Sequence, residues 1–317
     1  MTGLSIFDIP FIIDAICENL SADDIFRCRK TSKPLHKAFL RPHWRDITVR
    51  KILTADELDT IRKHAPWIRT LTIDYPEHGV GATYDLKGTI LPVLPELTLL
   101  TRIDITLDEI FNPELLFGIL NVLPDSVHIL EVDYEDYFDG DWKQSRVEEP
   151  WKPNKLEHIC FCGADESANE DLYLIPLIKA SPELQALRIP SVSSDHVDSF
   201  MEALGESCPK LRYLVLNKHK ADHSWGSEAT LFDHIHQPLK MLRIDLAQDR
   251  YESSIVISTL LKYSVDSLQE LRLHNVDGLP DELLDKLVEK CQNLKVIYHR
   301  DNYSYQSANM MTGRGWK

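Results

Sequence analysis

Four stretches of the chain are near-copies of one another: LQALRI at 184–189, LRYLVL at 211–216, LKMLRI at 239–244 and LQELRL at 268–273. Each carries apolar residues at its first, fourth and sixth positions. The fourth and sixth positions fall on one side of a short strand and the fifth on the other. The pattern continues outward from these four. Upstream it reads Trp44/Ile47/Val49, Ile68/Leu71/Ile73, Leu100/Ile103/Ile105, Val127/Leu130/Val132 and Leu156/Ile159/Phe161, and downstream Leu294/Ile297/His299. Successive starts lie about 24 to 32 residues apart, a period that marks a stacked-repeat architecture. Helical apolar spacing fills several intervals: Pro113 to Leu123, Asp171 to Ala180, Asp195 to Cys208, Ser253 to Tyr263 and Asp281 to Cys291. Each unit therefore reads strand, turn, helix, return. One unit cannot bury its apolar side alone, but stacked neighbours can.

The predicted fold class is α/β: a solenoid over 46–300, a horseshoe of parallel strands with convex helices. The pattern resembles leucine-rich repeats of the irregular, helix-containing kind. Ser207–Cys208–Pro209–Lys210–Leu211 and Lys290–Cys291–Gln292–Asn293–Leu294 match that kind, with Cys ahead of the next strand. The Asn usual after the strand is approached only by Asn217 and Asn275. A doubly wound α/β domain also alternates strands and helices, but it needs a Gly-rich phosphate loop. The chain has 12 glycines and none forms one. Two intervals break the repeat: Pro76 to Pro95, without helical period, and the acidic, aromatic Asp133 to Pro153, expected to project as a loop. A polar tail occupies 301–317.

Ahead of the repeats stands IFDIPFIIDAICENLSADDIFRCRKTSKPLHKAFLRPHW, residues 6–44. Ile9, Ile12, Ile13, Ile16 and Leu20 form a helical stripe. Asp8 is the expected cap of that helix, with Pro10 in its first turn. Ser21 with Asp24 opens a second helix in a capping-box-like arrangement. Ser32–Lys33–Pro34 ends it and a third short helix follows. Three helices in so short a segment are expected to need a partner to complete their core. The segment, 1–45, resembles the F-box: Ile9–Pro10, Ile13, Ile16, Leu20, Asp24–Ile25, Ser32–Lys33 and Trp44 keep that family's spacing. It departs from the family at Phe11, where an acidic or small polar residue is common, and at Leu35, near the usual place of a Trp. The resemblance implies docking of Ile9, Pro10, Ile13, Ile16, Leu20 and Ile25 to the Skp adaptor of a cullin–RING ubiquitin ligase. No flexible linker follows. Trp44, Ile47 and Val49 already read as a repeat strand, and Thr54 with Glu57 forms a capping box for a helix running to about Ala65. The segment should therefore be fused rigidly to the repeats.

Composition narrows the function. Lys plus Arg is 35 against 50 Asp plus Glu, a net charge of -15. That acidity argues against sequence-independent nucleic-acid binding, which rests on positive charge, and against an anionic membrane surface. No apolar run reaches the length of a transmembrane helix. The N-terminus has no basic region, and Asp8 and Asp14 interrupt its apolar part, unlike a signal peptide. Cys17, Cys28, Cys160, Cys162, Cys208 and Cys291 are scattered and read as buried thiols in a reducing compartment, the cytoplasm and/or nucleus.

No catalytic, cofactor or metal set emerges. There is no G-x-S-x-G elbow, P-loop or H-E-x-x-H. The acidic residues around Gly140 lack the register of a calcium loop. His219, His223, His234 and His236 have no cysteine pair beside them and read as loop histidines. The outward strand positions are more informative. The fifth positions run Thr72, Asp104, Glu131, Cys160, Arg188, Val215, Arg243, Arg272 and Tyr298. Acidic residues come early and arginines late, and Arg243 and Arg272 fall on adjacent strands. Paired guanidiniums suit a carboxylate or phosphate. Arg188, Tyr213, Arg243, Arg272 and Tyr298 are thus candidate contacts for an acidic or phosphorylated client segment. The alternative is a self-neutralising face, with Glu270 and Asp245 pairing the arginines. The reading is a non-enzymatic substrate receptor of a Skp–cullin–F-box ligase, set against a repeat scaffold whose helical segment is only a cap. A hydrolase on an α/β frame is a third and weaker reading.

Overall fold

The computed structural model describes residues 9–74, 89–107, 113–134, 152–163, 171–189, 197–217, 234–245, 253–274 and 281–300. The acidic loop from 135 to 151, His219, His223 and the 301–317 tail lie outside them. The chain divides into two compact units, residues 1–106 with 118–127 and residues 107–117 with 128–317. Among the described residues no helix is long and apolar enough to cross a membrane.

The first unit opens with α1 (Pro10–Cys17), α2 (Ala22–Thr31), α3 (Lys33–Ala38) and a one-turn α4 (Leu40–His43). The cap of α1 falls at Ile9, one residue later than expected, without a side-chain hydrogen bond, and Pro10 stands in the first turn. Ser21 accepts from the Asp24 amide at 3.2 Å and donates its hydroxyl to the Asp24 carboxylate at 2.7 Å. Ser32 ends α2 and caps α3 by accepting from the Leu35 amide. The helices do form a core of their own. Ile13, Ile25 and Phe39 are buried together, ringed by Cys17, Leu20, Cys28, Leu35 and Ala38. Phe39, between α3 and α4, packs beside the stripe, and this core is small enough to leave Phe11, Ile16 and Phe26 open.

Strand β1 (Asp46–Val49) follows directly and pairs in parallel with β2 (Thr70–Asp74), which pairs with β3 (Arg102–Leu107). Ile47, Leu71 and Ile103 share one register row, and Val49, Ile73 and Ile105 another. Helix α5 (Ala55–His64) connects β1 to β2 and begins with the complete Thr54–Glu57 capping box. It ends at His64, and Ala65–Trp67 continues as a tighter 3-10 turn. Before β3 the described residues hold a 3-10 turn, Leu94–Glu96, rather than an α-helix. Ile90, Val93, Leu94 and Leu97 bury the apolar side a helix would otherwise supply. Helix α6 (Pro113–Asn121) brings Gly118 against Leu91, where a Cβ would stand 2.7 Å from a leucine methyl.

The second unit holds seven parallel strands, each hydrogen-bonded to the next in chain order: β4 (Ile129–Tyr134), β5 (His158–Gly163), β6 (Ala186–Ile189), β7 (Tyr213–Asn217), β8 (Met241–Asp245), β9 (Glu270–His274) and β10 (Val296–Arg300). Helices α7 (Asp171–Lys179), α8 (Val197–Ser207), α9 (Ser253–Tyr263) and α10 (Asp281–Lys290) return the chain between them. Leu130, Ile159, Leu187, Leu214, Leu242, Leu271 and Ile297 form one register row, so the fourth pattern position is a single ladder. The first six of these side chains are buried. The α/β repeat solenoid expected from the period is the architecture observed.

A second ladder joins the repeats at the helix ends. The last carbonyls of a helix have no partner within it. Here small polar side chains supply one. The Ser181 hydroxyl donates to the Leu177 carbonyl at 2.6 Å, and the Cys208 thiol donates to the Ile178 and Ser181 carbonyls at 3.7 and 3.6 Å. The Gln237 amide donates to the Gly205 carbonyl at 2.8 Å. Ser264 accepts from the Leu239 amide at 3.2 Å. The Cys before a strand is therefore a buried donor between repeats, and burial pushes the Cys208 thiol up to about 12.

Candidate interaction surfaces

The adaptor-docking residues expected from the helical segment divide into two sets. Ile13 is 3% exposed and Ile25 9%, and both belong to the core with Phe39. They hold the segment together and are closed to a partner. Leu20 packs against the same core. Ile9 is half-buried and Pro10 occupies the first turn of α1. Ile16 reaches solvent. Two aromatic residues outside the expected docking set are open: Phe11 at 72% exposed and Phe26 at 43%. The signal for Phe11 was already in the chain. It departs from the family's preference for a small polar residue, and its place two residues before Ile13 turns it away from the stripe.

The segment is tied to the first repeat by a run of rings. Phe26 stacks near His43, His43 meets Trp44 edge-on, Trp44 stacks on His64 at 4.3 Å and His64 stacks on Trp67 at 5.1 Å. Trp44 follows α4, while His64 ends α5, so the run crosses from the helical segment to the repeat. Lys30 lies over the Phe26 ring at 3.9 Å, in cation–π geometry. Burial, then the nearby Lys63 and Arg29 charges, hold the His64 pKa below the usual imidazole value. Burial, then Arg29 and His64, act likewise on His43.

On the outward strand face of the second unit, Glu131, Cys160, Arg188, Val215, Arg243, Arg272 and Tyr298 do form one row across β4 to β10. Arg243 and Arg272 are direct neighbours. Tyr213 lies on the row beside it, between Ala186 and Met241. Arg188 is exposed, whereas Tyr213, Arg243 and Arg272 are half-buried. Arg272 is paired with Glu270 two residues earlier on its own strand. That part of the self-neutralising alternative is what the structure shows, and Arg272 is not an open cation. In the first unit Arg102 neutralises Asp104 by the same two-residue step, at 2.8 Å. The Tyr298 side chain lies outside the described residues, although its backbone pairs with Arg272.

Among the described residues no group of three or more His, Cys, Asp or Glu could hold a metal ion. His236 rests against the Tyr263 ring at 4.8 Å, the packing of a loop histidine. On the strand face the Cys160 and Cys162 sulfurs stand 3.2 Å apart, a proximity that the sequence reading of scattered thiols did not foresee.

The fold and these surfaces define a repeat protein of the α/β solenoid class. No family model matches the chain, and no curated protein matches it. Among solved structures, a chain of the crystal structure of the Rad7 and Elc1 complex in yeast is similar, with a TM-score of 0.43 and 15% identity over 98% of this chain and 87% of that one. A likeness at that level carries no argument about function.

Proposed function

We propose that the chain is the substrate-recognition subunit of a Skp–cullin–F-box ubiquitin ligase, working in the cytoplasm and/or nucleus and performing no chemistry itself. The observation that carries the reading is the exposed Phe11 and Phe26 on a helical segment that has a small core of its own. An exposed aromatic on a segment with its own core costs nothing to cover and buries a large apolar area when a partner covers it. Phe11, Ile16 and Phe26 contact the Skp-type adaptor, with Ile9 and Pro10 beside them. Ile13, Leu20 and Ile25 support that surface from behind. The repeats hold the client, an acidic or phosphorylated segment, through Arg188, Arg243 and Tyr213. Catalysis by the ligase then comes from effective concentration, the client lysine being held near a charged conjugating enzyme.

Co-purification with a Skp-type adaptor at low salt tests this. The native chain should bind, and Phe11→Asp should lose at least about tenfold in affinity with an unchanged melting temperature. A folded chain that fails to bind any Skp-type adaptor refutes the reading. Replacing Arg188 and Arg243 by Ala should abolish capture of an acidic client while adaptor binding persists. The second reading, a repeat scaffold with the helical segment as its cap, is favoured by the ring stack from Phe26 to Trp67. It predicts that Phe11→Asp changes no interaction at all.

A further inference from the structure

We propose that Cys160 and Cys162 form an oxidisable dithiol on the strand face, which hydroperoxides convert to a disulfide. This inference is independent of the adaptor reading. It starts from placement. The two residues are two apart on β5, so both side chains leave the same face, and their sulfurs approach to 3.2 Å. Both are half-buried and within reach of a small oxidant, while Cys208 and Cys291 are buried at helix ends. Cys160 lies in register with Arg188 on β6 and Glu131 on β4, and Cys162 with Asp133 on β4.

Either sulfur can donate the hydrogen bond between them, and the one that accepts it is the stabilised thiolate. Arg188 favours the thiolate at both positions, against burial. The thiolate is the nucleophile, so the pair as a unit is the reactive site. Burial acts the opposite way on Cys17, Cys208 and Cys291, and raises Cys17 to about 11.

The chemistry balances with a hydroperoxide as the only co-reactant. The thiolate of the pair attacks one peroxide oxygen. A sulfur–oxygen bond forms, the oxygen–oxygen bond breaks, and the departing alkoxide or hydroxide takes a proton from solvent. The second thiol then attacks the sulfenic sulfur. A sulfur–sulfur bond forms, the sulfur–oxygen bond breaks, and hydroxide leaves with the second thiol's proton as water. Two electrons pass from sulfur to oxygen: two thiols and ROOH give a disulfide, ROH and water. Two strand steps of ~3.3 Å separate the Cα atoms by about 6.6 Å, at the upper end of the range a disulfide spans. A bond closed at that limit is readily reduced, which makes the pair reversible rather than structural. Oxidation also removes the thiolate beside Arg188, the exposed cation of the row.

The test uses the full-length chain with stoichiometric hydrogen peroxide at neutral pH, followed by alkylation in denaturant and mass spectrometry. The expected result is a peptide spanning Cys160 and Cys162 that has lost two hydrogens, resists alkylation and recovers with dithiothreitol. It should form at least about tenfold faster than any oxidation of Cys17, Cys28, Cys208 or Cys291. In Cys160→Ser and in Cys162→Ser, dimedone should trap a sulfenic acid on the cysteine that remains. Full alkylation of both residues after peroxide overturns the proposal. So does a disulfide found only between chains, or an oxidation rate equal to that of the other four cysteines.

Discussion

Ile13 and Phe11 stand two residues apart and do opposite things, because a step of two on a helix turns a side chain to the far side. Ile13 fills the core with Ile25 and Phe39, and its methylenes have no other place to go. Ile13→Ala should cost about 2–5 kcal/mol of the segment's stability, as cavities in small cores do. Phe11→Asp should change stability by no more than about 0.5 kcal/mol. Denaturant titration followed by tryptophan fluorescence separates the two. An Ile13 variant therefore reports folding and a Phe11 variant reports docking. Ser264 shows the same economy in the second unit. It accepts the Leu239 amide inside the repeat stack and is 2% exposed. Ser264→Ala leaves a buried donor without its partner and should destabilise by about 1–3 kcal/mol, whereas Ser264→Cys should recover part of the loss.

At the scale of elements, the returns decide how closely strands approach. Gly205, in the last turn of α8, has the His234 carbonyl oxygen 2.1 Å from where a Cβ would be. Gly205→Ala must push the 234–240 return away, and the Gln237 bond to the Gly205 carbonyl goes with it. A loss of about 1–3 kcal/mol is expected, although alanine is the better helix former. An unchanged unfolding midpoint would show the return to be free to move. The ring stack at the junction makes a pH prediction. His64 has its folded pKa below the usual imidazole value of about 6.5 through burial, so the unfolded chain binds its proton first. Stability is then full above that value and falls as pH drops through 6.5 towards the folded pKa. His43 acts in the same direction. Thermal melts from pH 8 to pH 5 should show the decline, and His64→Phe should flatten it.

The whole molecule reads from its period. Neither the leucines nor the helices alone separate a solenoid from a doubly wound sheet, but strands that pair in chain order do. The rigid fusion of the helical segment, inferred from the missing linker, has a physical basis in β1 and the rings. A Gly/Ser insertion after Arg50 does not loosen it, because β1 pairs with β2 and Trp44 stacks on His64 across that point. The insert should loop out and leave hydrogen-exchange protection of 10–43 unchanged. Trp44→Ala should instead let 10–43 exchange well before the repeats do, and equal protection in the two would show the rings to be passive.

The ladder of the fourth and sixth positions, the helices between strands, the caps at Ser21 and Thr54 and the outward row from Glu131 to Tyr298 were determined by the sequence itself. They depend on local periodicity and on groups three or four residues apart, which a single chain displays directly. What lies between distant residues was decided by the tertiary structure alone. Phe39 closes the helical core and so removes Ile13 and Ile25 from any docking face. Glu270 claims Arg272, although Asp245 was an equal candidate from spacing. The two sulfurs of β5 come to 3.2 Å, a contact that the strand spacing of their Cα atoms does not by itself fix. Periodicity settles which face a residue takes, and only the neighbours on that face settle whether it is occupied, paired or open.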